Sequence, residues 1–137
     1  MPYRLLAVHA HPDDESSKGA ATAAKYVADG HQVLVVSCTG GEAGDILNDQ
    51  LGEPATSRAH RDMAGYRRTE MAAAQQALGI DHLWLGYHDS GLPDAEKGET
   101  VRPGTFSTVP LEYSTEALVR VIRRFRPHVL VTYDENG

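Results

Sequence analysis

Four short apolar runs constrain this chain more than any other feature: residues 3–10, 32–37, 81–85 and 129–132. Each is too short to be a helix, and three are nearly continuous in apolar or β-branched residues, the pattern of a strand covered on both faces. Helical patterns fill much of the space between them. After the first run, Ser16 or Ser17 is placed to cap a helix whose Ala20, Ala21, Ala23, Ala24 and Val27 give a small apolar surface, and Asp29-Gly30 stops it. A second helix is expected over residues 58–78, with Met63, Met71, Ala74 and Leu78 buried and Gly79 as its stop. Ser114 caps a third, in which Leu118, Val121, Ile122 and Phe125 recur at i, i+3, i+4 and i+7 before Pro127. Strand–helix–strand order predicts parallel crossover units and an α/β, Rossmann-like open sheet, mostly parallel, with helices on both faces.

In such sheets ligands bind outside the carboxyl ends of the strands. The polar residues gather there: His11 to Glu15 after the first run, Thr39 to Asp45 after the second, His88-Asp89-Ser90 after the third, Tyr133-Asp134 after the fourth. Residues 39–58 and 86–110 read as long loops on the same side, and loops beyond about 12–15 residues in a compact domain are usually functional or disordered. A chain of 137 residues is expected to form one domain, 1–137.

Composition removes several function classes. Thirteen Lys and Arg against nineteen Asp and Glu give a net charge of -6, and no basic stretch carries interleaved aromatics, so nucleic acid is not an expected partner. The arginines at 120, 123, 124 and 126 read as the solvated face of the third helix. No apolar run approaches the ~20 residues of a membrane span, and the run at 5–8 is too short for a signal-peptide core. The single cysteine, Cys38, cannot make an internal disulfide and reads as core packing, so a cytoplasmic protein is expected.

The chemistry-bearing stretch is Ala7-Val8-His9-Ala10-His11-Pro12-Asp13-Asp14-Glu15. His11 with Asp13 and Asp14 can supply an imidazole nitrogen and a carboxylate oxygen to one metal and leave a second carboxylate free to take a proton from bound water. Mixed imidazole and carboxylate donors favour zinc or another first-row transition ion over magnesium. The alternative is that the three acids only favour the positive end of the following helix. The tetrapeptide alone leaves both readings open.

Ala10-His11-Pro12-Asp13-Asp14-Glu15 resembles the signature of the LmbE-like, or PIG-L, family of zinc-dependent N-deacetylases and amidases. The similarity continues through Thr39-Gly40-Gly41-Glu42, Arg67-x-x-Glu70, Leu78-Gly79, Leu85-Gly86, Asp89-Ser90-Gly91 and Arg126-Pro127. The stretches from His9 to Ala20, from Ser114 to Arg120 and from Thr132 to Gly137 are most similar to the family's amidase branch.

The resemblance implies His11 and Asp14 as zinc ligands and Asp13 as general base. It implies Arg67 and Asp89 as holders of the substrate's sugar, with Glu42 near them and Lys18 beside the site as a mark of the amidase branch. The implied substrate is an N-acyl glucosamine, a mycothiol S-conjugate cut at its amide in detoxification. The alternatives are a deacetylase of thiol or antibiotic biosynthesis, or a non-catalytic fragment of such an enzyme. In the family a Tyr-x-His-Pro-Asp-His segment supplies the third zinc ligand; here it is expected beyond Gly137, so the chain is expected to be the amino-terminal portion of the domain and to hold zinc weakly or not at all. Among its own residues His88 is the best-placed stand-in, whereas His9 reads as packed within its strand. A homo-oligomer stays open.

Other features have plainer readings. Arg67 and Glu70 at i, i+3 can form a surface ion pair worth ~0.2–0.5 kcal/mol, and Asp89-Ser90-Gly91 can be only a turn. His31, His60, His82 and His128 read as polar caps at element ends. A nucleotide-binding domain is a separate alternative, but Thr39-Gly40-Gly41-Glu42-Ala43-Gly44 falls one glycine short of the dinucleotide fingerprint, and Glu42 would face the phosphates.

Overall fold

A computed structural model describes residues 1–135; Asn136 and Gly137, the end of the Thr132–Gly137 stretch, lie outside the described residues. The four apolar runs form strands β1 (Arg4–His9), β2 (Gln32–Thr39), β3 (Asp81–Tyr87) and β4 (Val129–Val131). They make one sheet in the order β3-β2-β1-β4, and every neighbouring pair is parallel. β1 is central, with Leu6 opposite Leu34 on one side and Leu130 on the other.

Because side chains alternate along a strand, β1 and β2 feed two cores. Leu6, Val8, Leu34, Val36 and Cys38 face one way and meet Leu118, Val121, Ile122 and Phe125 of helix α5 (Leu111–Phe125). Ala7, Val33 and Val35 face the other way, against Ala23 and Val27 of α2 (Ala20–Ala28) and Leu78 of α4 (Met63–Leu78). Helices therefore cover both faces, as the sequence predicts, and Cys38 is core packing. Its thiol is pushed up to about 11 by burial. No helix among the described residues is long and apolar enough to cross a membrane.

Three helix boundaries differ from those read in the sequence. Helix α1 (Asp14–Lys18) begins at Asp14, because the Asp13 carbonyl already accepts the N–H groups of Ser16 and Ser17 at 3.0 and 3.1 Å. Neither serine is a cap. Ser17 Oγ instead donates back to the Asp13 carbonyl at 3.3 Å, and α1 and α2 meet at Gly19.

The helix expected over 58–78 is two, α3 (Ala55–Arg61) and α4, broken at Asp62, whose Oδ1 accepts the Gly65 N–H at 2.9 Å. That aspartate is an N-cap, so it starts a helix rather than continuing one. Likewise α5 starts after Pro110, and Ser114 lies inside it with its hydroxyl donating to the Leu111 carbonyl at 3.1 Å.

β3 runs two residues past Leu85. A register shift against Ser37–Thr39 carries it on to pair Thr39 with Tyr87, and Gly86 within it has φ 93°, open to glycine alone without strain. His82 is no cap: it lies in β3 with its ring Nε2 2.9 Å from Ser37 Oγ. His31 and His128 do bond backbone at the sheet's other end, accepting the N–H groups of Tyr3 and Arg4 at 3.4 and 3.0 Å.

Candidate active site

The strand order changes direction at β1, with β2 on one side and β4 on the other, so the carboxyl end of β1 is the crevice where such sheets bind ligands. His11 to Glu15 leaves the sheet there. Asp13 adopts φ 140° and ψ -23°, a region costly for a residue with a side chain. The Glu15 carboxylate holds it, accepting the Asp13 N–H through Oε2 at 2.9 Å and the Ser16 hydroxyl through Oε1 at 2.6 Å. Glu15 is itself only 3% exposed.

That turn sends neighbouring carboxylates to different partners. Asp14 points inward: its Oδ2 lies 3.7 Å from His11 Nδ1 and accepts the His11 N–H at 3.1 Å. The same oxygen accepts the Tyr133 hydroxyl at 2.6 Å, and Oδ1 takes the Lys18 ammonium in a short contact. Asp13 is mostly exposed, and its Oδ2 accepts from Arg67 Nη2 at 3.2 Å.

Arg67 is packed beside the loop after β2, where a Cβ on Gly41 would stand 2.1 Å from its Nη1. Gly41, at φ 68°, thus lets the guanidinium reach Asp13. Arg67 pairs with Asp13 rather than acting as the surface partner of Glu70. A cleft of about 270 Å³ opens beside them, lined in part by Asp13, Asp45, Asn48, Tyr66, Arg67 and Glu70.

The loops after β2 and β3 close the other side. Glu42 Oε2 accepts the Asp89 N–H at 2.8 Å. Asp89 is 5% exposed; its Oδ1 accepts the Gly91 N–H at 3.0 Å, its Oδ2 the Ala43 N–H at 3.3 Å. Asp89-Ser90-Gly91 is therefore a turn, but one whose aspartate also stands 3.3 Å, through Oδ1, from His11 Nε2. The seven residues expected at the site make contacts at the sheet's carboxyl edge: His11 with Asp14 and Asp89, Asp14 with Lys18, Asp89 with Glu42, and Asp13 with Arg67.

Two further residues lie beside these contacts: Tyr133, placed at this edge by the sequence but given no role, and His9, read as packed within its strand. Tyr133 follows β4, donates to Asp14 and accepts the Ala10 N–H at 3.3 Å. Its position just past the strand that neighbours β1 was the available signal. His9 is buried with no hydrogen-bond partner for Nδ1 among the described residues, 5.9 Å from the Tyr133 ring. His88, the stand-in ligand, is drawn elsewhere, with Nε2 2.8 Å from Arg102 Nη2 and Nδ1 3.8 Å from Glu42.

Charge is arranged to keep Asp14 ionised. Burial alone would raise its carboxyl, but the Lys18 ammonium, the Tyr133 hydroxyl and the His11 N–H hold it below the ordinary range. Burial and the Asp14 carboxylate push the Tyr133 hydroxyl well up, so it stays a donor. Burial pushes the His9 imidazole down, against the pull of Asp14 and Glu15.

An imidazole nitrogen and a carboxylate oxygen 3.7 Å apart come close to the ~3.4 Å edge of a tetrahedron built on zinc bonds of about 2.0–2.2 Å. His11 and Asp14 therefore fit two positions of such an ion. No group of three His, Cys, Asp or Glu among the described residues could hold a metal.

Residues 6–137 match the PIG-L family, described as GlcNAc-PI de-N-acetylase. The chain is 52% identical over 134 residues to the mycothiol S-conjugate amidase of Streptomyces coelicolor, a match covering 98% of this chain and 45% of that protein. It is 46% identical over 140 residues to the 1D-myo-inositol 2-acetamido-2-deoxy-alpha-D-glucopyranoside deacetylase of Streptomyces scabiei, covering 98% of this chain and 42% of that one. Among solved structures it is similar to the zinc-inhibited form of a teicoplanin deacetylase, with a TM-score of 0.66, 26% identity, and coverage of 94% of this chain and 55% of that one. The chain thus spans less than half the length of these two curated relatives.

Proposed function

This chain belongs to the PIG-L family, and from that premise we propose that it carries the metal-binding and proton-transfer motif of a cytoplasmic, zinc-dependent amidohydrolase. The substrate is an N-acyl glucosamine, a mycothiol S-conjugate cut at its amide. One observation carries the reading: at the carboxyl end of β1, His11 and Asp14 face each other at metal-ligand spacing while Asp13 turns away to Arg67 beside an open cleft. Ligand and base are thereby separated within two adjacent residues.

Zinc held by His11 and Asp14 would polarise the amide carbonyl and acidify a water. Asp13 takes a proton from the attacking water on a carboxylate oxygen and passes it to the departing amine. Arg67 anchors Asp13 and lines the cleft beside it, where the sugar would approach, with Glu42 near. Lys18 neutralises Asp14 and lies 5.6 Å over the Tyr133 ring, so it fixes the charge of the ligand carboxylate. Tyr133 presents a hydroxyl donor on the same side, beside Ala10 and Asp14.

The test is hydrolysis by the full gene product loaded with zinc. Asp13→Asn is expected to lower kcat by about 10²–10⁴-fold, the usual worth of a general base, with zinc content unchanged. Absence of cleavage of any N-acyl glucosamine, or a rate untouched by Asp13→Asn, would sink the proposal. The deacetylase reading is kept because the second relative above carries that name. A higher kcat/KM for an N-acetylglucosaminyl inositol than for a thiol conjugate would choose it. The proposed amidase has the opposite order.

A further inference from the structure

His11 stands between two carboxylates. Its Nδ1 is 3.7 Å from Asp14 Oδ2 and its Nε2 is 3.3 Å from Asp89 Oδ1. We propose that Asp89 is a positioning residue for His11: its carboxylate faces the Nε2–H as hydrogen-bond acceptor, keeps the ring's one proton on Nε2, fixes the ring's orientation, and leaves Nδ1 unprotonated beside Asp14 as the metal-facing nitrogen. The metal part of this statement rests on the zinc reading above; the proton placement does not.

Three observations separate this role from direct sugar binding by Asp89. The residue is 5% exposed, too enclosed to offer a carboxylate broadly to a ligand's hydroxyl groups. Both oxygens are tied to loop backbone, by the N–H groups of Gly91 and Ala43 at 3.0 and 3.3 Å, and its own N–H is held by Glu42 at 2.8 Å. A residue held at both carboxylate oxygens and at its own N–H by the loops after β2 and β3 is a rigid reference point. By contrast, two of the three partners of Asp14 are side-chain donors, the Lys18 ammonium and the Tyr133 hydroxyl, beside the His11 N–H.

The His11–Asp89 separation lies just beyond the ordinary N–H···O range of about 2.7–3.2 Å, and catalytic contacts commonly tighten when a ligand arrives. A histidine that ligates a metal through one nitrogen and gives its other N–H to a carboxylate has its tautomer set by that partner. Glu42 then acts at one remove, by holding the backbone of Asp89. The two loops communicate with the metal ligand through this one imidazole.

The experiment reads His11 in the metal-free protein by long-range proton–nitrogen correlation at a pH where the ring is neutral, with His11→Gln assigning the signals. The expected result is a proton on Nε2 with slowed exchange, its exchange accelerated in both Asp89→Ala and Asp89→Asn. Should Asp89→Ala not fold, the near-isosteric Asp89→Asn gives the answer alone. A proton on Nδ1, or an Nε2 proton whose exchange neither variant changes, overturns the proposal whatever the enzyme's substrate proves to be.

Chelator competition on the zinc-titrated full gene product supplies the second readout. Asp89→Asn is expected to weaken zinc by about 10–100-fold, the usual cost of losing such a partner. Unchanged zinc affinity with a raised KM would make Asp89 a sugar ligand and overturn it. Failure of N-acyl glucosamine hydrolysis, with the ring proton as expected, would instead strike only the proposed function.

Discussion

Asp13 and Asp14 are chemically identical and adjacent, yet their surroundings give them different work. The backbone at Asp13, with φ 140°, points its side chain towards Arg67 and solvent, while Asp14 is 6% exposed and carries three donors. In β3, the partly buried His82 has its ring lowered by burial from 6.5 to about 4 against an opposing pull from Glu15. Between about pH 6.5 and 4 the unfolded chain binds a proton that the folded chain refuses, so stability falls as pH drops through that window. The whole window is worth on the order of 3 kcal/mol at 1.36 kcal/mol per unit. His82→Gln, which can keep a partner for Ser37, is expected to lose about 2 kcal/mol less than the parent between roughly pH 7 and pH 5. Urea midpoints at the two pH values check it, and equal losses would show that His82 does not titrate as described.

At the scale of elements, the breaks between helices matter more than their lengths. Asp62 divides what looks in sequence like one helix, because an aspartate bonded to the Gly65 N–H ends one hydrogen-bond ladder and opens another. α4 can thereby take its own direction and bring Arg67 to the crevice. Asp62→Ala is expected to cost about 1 kcal/mol of stability, measured by chemical denaturation. A neutral result would mean that packing of Met71 and Leu78 holds α4 without its cap. The same contrast explains what could be read locally. The apolar stripe of α5 is visible because its spacing is regular, whereas Ser16, Ser17 and Ser114 resemble caps but lie inside helices whose first turns were set by Asp13 and Pro110.

Across the whole molecule, stability and chemistry lie at different places on the same strand. Leu6 in the middle of β1 is 0% exposed, whereas Leu130 on the edge strand β4 is 43% exposed. Leu6→Ala is expected to lose about 2–5 kcal/mol, since it leaves a cavity between two packed layers. Leu130→Ala should lose much less, and similar losses at the two sites would contradict the central placement of β1. The carboxyl end of that buried strand carries His11 to Glu15, so the motif is held by the most protected part of the sheet.

The sequence by itself determined the parallel α/β sheet and the separation of His11, Asp13 and Asp14 into one chemical unit, because strand patterning and a contiguous motif are local properties. Resemblance added Lys18, Glu42, Arg67 and Asp89. Only the tertiary structure decided which of these touch: Arg67 reaches Asp13 from α4, Asp89 reaches His11 from the loop after β3, and Tyr133 reaches Asp14 from beyond β4. Those contacts span 54, 78 and 119 residues of chain. Sequence periodicity carries no information over such separations; sheet order does, because it brings the ends of β1, β2, β3 and β4 to one edge.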